Sequence, residues 1–577
     1  MTGGRTAVFL GLSIGLLTLG APAVSAETRG PLVVDAGDSA APDPLRGAPN
    51  VVRLSVAVAD LKSDRPRAPD RLGVFVAPLD AGWRDLLGLP PGGGLVALAF
   101  DPDSPAQRGG MRVGDVVRAV GGRPIATRGD LGRALGAVDE RQSAAIEALR
   151  PLGADVDVAA LFREAAAKGS PQAALALGYQ DFAAKNFDGA MSWFRKAADQ
   201  VFAPAQYLVG FGYFSGRGAT QDFFQAMAWY RKAADQSDAF AEGDIGSLFA
   251  QGNGVPRDDS EAMAWFLKAA DQDDAGAEFN IGLFYERGRG VARDYAQAAA
   301  WYRKSADQGF AVAQYNLGAL YARGDGVERD DFEALTWRRR AADQGLAIAQ
   351  RTLGGVYQEG RLAPRDYAQA LAWYRKAAEQ GDPVSQSNLG AFYAEGLGVA
   401  RDYAEGVAWN RKAADQGYAN GQYNLGVDYE HGLGVAQDYG EAMAWYRKAA
   451  DQGHGPAQDN IGTLYERGEG VAQNYAEALR WYRKAADLGV PWAAYNVGAY
   501  YANGLAVPKD YAEAMVWYRK AAEKGSALGQ YALGALYENG QGAARDPAQA
   551  ADWYRKAAAQ GQPGALDALK RLGVAPP

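Results

Sequence analysis

The sequence predicts a mainly α fold: an α-α superhelix, or right-handed helical-repeat solenoid, with a small α+β domain in front. Three observations carry this. Tryptophans at 193, 229, 265, 301, 337, 373, 409, 445, 481, 517 and 553 recur every thirty-six residues, and a fixed period over eleven copies is the signature of a repeat array. Each copy carries the start and stop signals of two helices. Residues 70 to 160 have a different texture, with short apolar runs separated by glycine turns. At 577 residues the chain exceeds one ordinary core, so an array or several domains is required.

At the N-terminus, Arg5 precedes the apolar run Ala7 to Leu19, Pro22, and the small-residue step Val24-Ser25-Ala26. This order reads as a secretory signal, 1–26, leaving a mature chain from Glu27. The alternative is an uncleaved anchor, for which the run is short. Residues 27–68 are rich in Pro, Ala, Asp and Gly and read as a linker, largely disordered, with a short strand allowed near Val51 to Val58.

The front domain, 69–160, begins with Arg71-Leu72-Gly73-Val74-Phe75-Val76. It continues through Gly94 to Phe100, Gly110 to Val117 and the turn Gly121-Gly122. Thr127 to Asp130 is a capping box opening a helix to Leu135, and Ala144 to Arg150 and Asp155 to Leu161 alternate as strands.

Residues 161–563 form the repeats. Asp or Asn stands seven residues before the Trp, as at Asp330 and Asn474, and Glu or Gln follows three residues later, as at Glu333 and Glu477. That is a capping box at the start of a second helix, which ends near a glycine such as Gly309 or Gly417. The first helix carries Leu-Gly and then an aromatic, as in Leu317-Gly318 and Tyr321. A mid-helix glycine is unfavourable by roughly 1 kcal/mol, so its recurrence implies close helix approach. The Trp ladder reads as core between stacked helices. Residues 564–577 read as a polar-faced capping helix and tail.

Chemistry is scarce. The chain has no cysteine and only two histidines, His431 and His454, both at positions the repeats vary freely, which places them on the solvated surface. No catalytic residue, metal site or cofactor is expected. The net charge of -8 lacks the basic excess of a nucleic-acid binder. Membrane contact is expected only if the signal segment stays uncleaved.

The motifs Ala-x-x-Leu-Gly-x-x-Tyr, Gly-x-Gly-Val, Asp-Tyr-x-x-Ala and Trp-Tyr-x-Lys-Ala-Ala resemble the Sel-one-like repeat, a tetratricopeptide-type unit. Departures fall at Arg361-Leu362-Ala363-Pro364, at Leu505-Ala506-Val507-Pro508, and in the first unit around Trp193, whose turn is shorter. The front domain resembles a PDZ domain of the kind appended to bacterial envelope serine proteases. That resemblance implies that Leu72, Gly73 and Val74 receive a peptide's free C-terminus, and that Phe75 and Val76 carry on the strand with which the peptide pairs. For the repeats it implies a concave binding face lined by Asn280, Asn316, Asn388, Asn424, Asn460 and Asn496.

The expected function is a non-enzymatic scaffold or adaptor of the cell envelope, periplasmic or secreted, binding protein or peptide partners. The alternatives are a regulator of envelope stress or polysaccharide export, a β-lactamase-like hydrolase, and a plain spacer. No Ser-x-x-Lys motif in a suitable setting supports the hydrolase.

Overall fold

The structure is a computed structural model. It describes residues 157–574 and, ahead of them, 50–57, 74–78, 81–87, 89, 94–100, 104–108, 111–126, 130–131, 133–134 and 143–150. The signal segment lies outside the described residues. The chain divides into two compact units, one through Ala349 and one from Gln350.

In the first unit, six antiparallel strands form the front sheet: β1 (Asn50–Ala57), β2 (Val74–Pro78), β3 (Leu95–Phe100), β4 (Val116–Val120), β5 (Arg123–Pro124) and β6 (Ser143–Arg150). Their order is β1-β6-β4-β3-β2, with β5 hairpinned onto β4. Gly121 and Gly122, at φ 57° and 76°, supply the left-handed turn that a two-residue hairpin needs. β1 pairs with all eight residues of β6. The strand allowed near Val51 to Val58 is therefore present, and the front domain expected from 69 takes in this strand from Asn50, because the outer edge of β6 needs backbone partners.

A second correction concerns 155–161. Asp157 caps a helix, Val158–Ala167, by accepting the N–H of Ala160 at 3.0 Å. Strand-like alternation there is overridden by helical burial of Phe162 and Ala166.

Both faces of the sheet are covered. Val76, Leu95, Ala97, Val117 and Ile146 pack with Leu131 and Ala134 on one side. On the other, Ala77, Val96, Leu98 and Val116 join one core with Trp83, Phe162 and Ala173 to Tyr179 of the first repeat. Trp83 meets Phe162 edge-on at 6.0 Å. The front module is thus welded to the repeats that follow it.

Within each unit the repeats are pairs of short helices, such as Ala311–Arg323 with Asp331–Asp343, and Ala419–His431 with Tyr439–Asp451. The cap works in one direction. Asp330 accepts the N–H groups of Phe332 and Glu333 at 2.9 and 3.0 Å, but its own N–H already donates to the Tyr321 carbonyl. Glu333 is therefore released from the reciprocal half of the expected box, and accepts the Trp337 indole N–H at 2.8 Å.

The close approach at the mid-helix glycine is present. A Cβ on Gly426 would lie 2.5 Å from the Tyr446 ring. In the turn, Gly326 lies against the preceding pair, where a Cβ would meet the Tyr295 backbone at 2.1 Å.

The aromatic ladder is deeper at tyrosine than at tryptophan. Tyr302, Tyr446 and Tyr554 are fully buried, whereas Trp193, Trp229, Trp301 and Trp481 are half-buried. The lysine three residues on lies over the ring, with Lys232 Nζ 3.8 Å from the centroid of half-buried Trp229 and Lys448 Nζ 3.4 Å from that of buried Trp445. In the second unit the array closes with Ala565–Arg571, whose Ala568 and Leu569 are buried and whose Arg571 reaches Glu538 at 3.1 Å.

Candidate functional site

Two places follow from the fold: the β2 side of the front sheet, and the first-helix face of the repeats.

β2 is the last strand in its sheet order, so its outer side is where an added strand would pair. Its inner register runs Val74 to Phe100 and Phe75 to Ala99, then shifts by a bulge before Val76 pairs with Ala97. The Val76 side chain is buried in the sheet's own core with Leu131 and Ala134, two described residues of the helix expected from the Thr127 to Asp130 box to Leu135. Leu72 and Gly73 lie outside the described residues.

On the repeats, most recurrent polar side chains bond within the fold. Gln452 Nε2 donates to Gln422 Oε1 at 2.8 Å, thirty residues back, and the same bond recurs as Gln344 to Gln314, Gln416 to Gln386 and Gln560 to Gln530. Tyr446 donates to Glu430 at 2.6 Å, and Arg447 to the Tyr465 hydroxyl at 3.0 Å. The glutamine and tyrosine bonds tie together the two helices of one pair, the arginine bond ties a pair to the one after it, and sequence reading missed them because their partners sit sixteen to thirty residues apart.

The six asparagines are half-buried on the first helices. Asn424 Nδ2 donates to Ser387 Oγ and Asn496 Nδ2 to Asp459 Oδ1, both at 3.2 Å across to the preceding first helix. Asn316 acts on the Tyr302 hydroxyl, Asn388 on that of Tyr374, and Asn460 on those of Tyr446 and Tyr423. Two of the six thus donate within the array, three more act on a tyrosine of it, and Asn280 stands at the matching position.

The histidines divide. His431 is exposed, as read. His454 is half-buried and not a solvated surface residue: its Nδ1 accepts the Ala457 N–H at 3.2 Å, and its ring lies 4.8 Å from Tyr423. The cause is its place before a first helix, where Asp238, Asp274 and Ser526 give the same cap.

Two buried acids, Asp459 and Asp428, break the pattern, and a third, Glu278, takes the acceptor place of the glutamine ladder, where Gln308 donates to it at 2.7 Å. Burial raises Asp459 to about 7, Glu278 to about 7 and Asp428 to about 6. Asp428 accepts Asn410 Nδ2 at 2.8 Å, in a pair that replaces the buried tyrosine and apolar residue of other repeats. Asp459 stands where Tyr423, Tyr495 and Tyr531 stand elsewhere. Comparing repeats position by position would have found both. Among the described residues no group of His, Asp and Glu is arranged to hold a metal ion, and no helix is long and apolar enough to cross a membrane.

Comparison with known proteins agrees with this architecture. The Sel1 repeat model matches eleven segments between 171 and 562, and a PDZ domain model matches 96–146. A crystal structure of a protective antigen present in uropathogenic Escherichia coli strains, displaying an SLR fold, is 36% identical, with a TM-score of 0.61 over 73% of this chain and 91% of that one. A Sel1 repeat protein from Oxalobacter formigenes is 37% identical over 54% of this chain and 90% of its own, with a TM-score of 0.47. A protein of Ectopseudomonas mendocina named "Probable periplasmic serine endoprotease DegP-like" is 33% identical over 103 residues, 18% of this chain. The chain spans 21% of that relative's length, and the likeness falls on the PDZ region and not on a protease domain.

Proposed function

The chain belongs to the Sel1-repeat proteins, and from that premise we propose that it is a non-enzymatic scaffold of the cell envelope that captures a partner's chain terminus at β2 and holds the same partner along the first-helix face. Both modules are protein-interaction modules. The observation that carries the reading is the position of β2 at the end of the sheet, beside a helix that packs on its inner face. An extended peptide added there gains backbone hydrogen bonds without disturbing the core. Two binding surfaces on one chain raise the effective concentration of the second once the first is engaged.

The envelope location rests on the signal-like N-terminus and on the likeness of the front module to a relative named as periplasmic. The non-enzymatic reading rests on the use of the recurrent acids, tyrosines and arginines inside the array. As coarse members of the same class, regulators of envelope stress or export remain compatible with it.

The test is an affinity capture from envelope extract with the full chain and with Gly73→Glu, with a competing peptide that ends in a free carboxylate. A point change is preferable to removing the front module, whose loss would uncover Phe162 and its neighbours. Partners lost with Gly73→Glu and displaced by the peptide support capture at β2. Partners retained in both arms overturn it.

A further inference from the structure

Once the ladders are subtracted, Asp459 and Trp492, on two successive first helices of the second unit, have no repeat-wide task. Asp459 lies on Gly455–Arg467, is 6% exposed, and accepts from Asn496 Nδ2 at 3.2 Å; Trp492 stands one turn before Asn496 on the same helix face and also acts on the acid. Trp492, on Pro491–Asn503, is outside the thirty-six-residue register and is 48% exposed. Tyr423, on Ala419–His431, flanks the acid from the other side, with His454 against its ring.

Asp459 lacks a counter-charge. The groups that act on it are Asn496, Trp492 and Glu466, the last of the same sign. His454 does not supply a cation, because its Nδ1 accepts a backbone N–H and burial lowers its pKa. At the same repeat position Arg351 is matched, facing Asp382 at 2.9 Å. A carboxylate desolvated without a cation is costly, and neutral donors offset only part of that cost. A large exposed indole directly beside it is the other half of a cation site.

We propose that Asp459 and Trp492 form a receptor for an arginine side chain of a partner polypeptide, its guanidinium pairing with the carboxylate and stacking on the indole. The proposal rests on the scaffold reading and names the chemistry of its first-helix face. Arginine fits better than lysine because its planar fork can bond a carboxylate and lie on a ring together. A sugar would use the indole but has no charge to offer the buried acid, so the charge complementarity favours the cation.

The experiment is a titration of the full chain, labelled with nitrogen-15, with N-acetyl-argininamide, following the indole N–H resonance assigned through Trp492→Phe. Controls are N-acetyl-glutaminamide and maltohexaose. The expected result is movement of the Trp492 resonance with the arginine probe alone, weakened about tenfold or more in Asp459→Asn and abolished in Asp459→Tyr. Asp459→Tyr restores the residue of neighbouring repeats, so its unchanged or raised Tm separates loss of the site from loss of the fold. An unmoved resonance, equal movement in Asp459→Asn, or movement with maltohexaose in place of arginine overturns the proposal. None of these results bears on capture at β2, which stands or falls on Gly73→Glu.

Discussion

Two helix pairs of the second unit differ at the residue packed on the first-helix glycine. In one, Tyr446 is fully buried against Gly426 and donates to Glu430 at 2.6 Å. In the other, Asn410 stands in the tyrosine's place against Gly390 and donates to Asp428 at 2.8 Å. The first contact combines a large aromatic burial with a satisfied hydroxyl. The second places an amide and a carboxylate in the same core, with Asn410 Oδ1 lacking a hydrogen bond. The array tolerates that exchange because each pair also packs on its neighbours, so one weak contact does not unravel the rest. Repeats that keep the pattern therefore carry stability, and repeats that break it are where a specific role can be sought.

The largest effect should come from destroying the strong contact. Tyr446→Ala removes a buried ring and strands Glu430, and should cost about 3–5 kcal/mol. Hydrogen exchange over 419–467 would show the loss locally, and exchange unchanged there would mean that the two contacts are not different in kind.

Repairing the weak contact should do the reverse. Asn410→Tyr with Asp428→Leu should stabilise the second unit by about 1–4 kcal/mol, read from the urea midpoint. The gain should depend on pH. Asp428 has a folded pKa of about 6 against an ordinary 3.8, so the folded chain binds its proton more tightly. The stability this contributes is present below the ordinary value and is lost as pH rises through about 6. The repaired variant's advantage should thus be about 1 kcal/mol larger at pH 7 than at pH 5. An advantage independent of pH would show that Asp428 is already ionised at both.

The glutamine ladder offers a smaller test. Leu488 occupies the donor position facing Gln458, whose Oε1 is buried without a hydrogen bond. Leu488→Gln should extend the ladder and add about 1 kcal/mol, whereas the same measurement on Gln452→Leu should lose a similar amount. Last, Ala506 holds φ 59° where the turn of every other thirty-six-residue unit, except at Leu362, uses glycine. Ala506→Gly should change stability by no more than about 1 kcal/mol, and upward if relief of strain outweighs the added freedom of the unfolded chain.

Much of the array was legible because its signals are local. Asp330, Gly324 and Trp337 lie within fourteen residues, and caps, left-handed glycines and an apolar period act over that range. The site was legible only in outline. The Leu72 to Val76 segment was read from its resemblance, and β2's place at the end of the sheet came from strand order. Asp459 and Trp492 are thirty-three residues apart in sequence, and nothing short of the packed first helices brings them together.

By itself, then, the sequence determined a repeated helix pair, its boundaries and the presence of a separate front module, since these follow from periodicity and capping within single turns. The tertiary structure decided which aromatic lies deepest, that β1 completes the sheet, that Trp83 and Phe162 join front module to array, and which buried acids find a partner. Those outcomes depend on desolvation and on contacts between distant segments, and both come into being only when the helices pack.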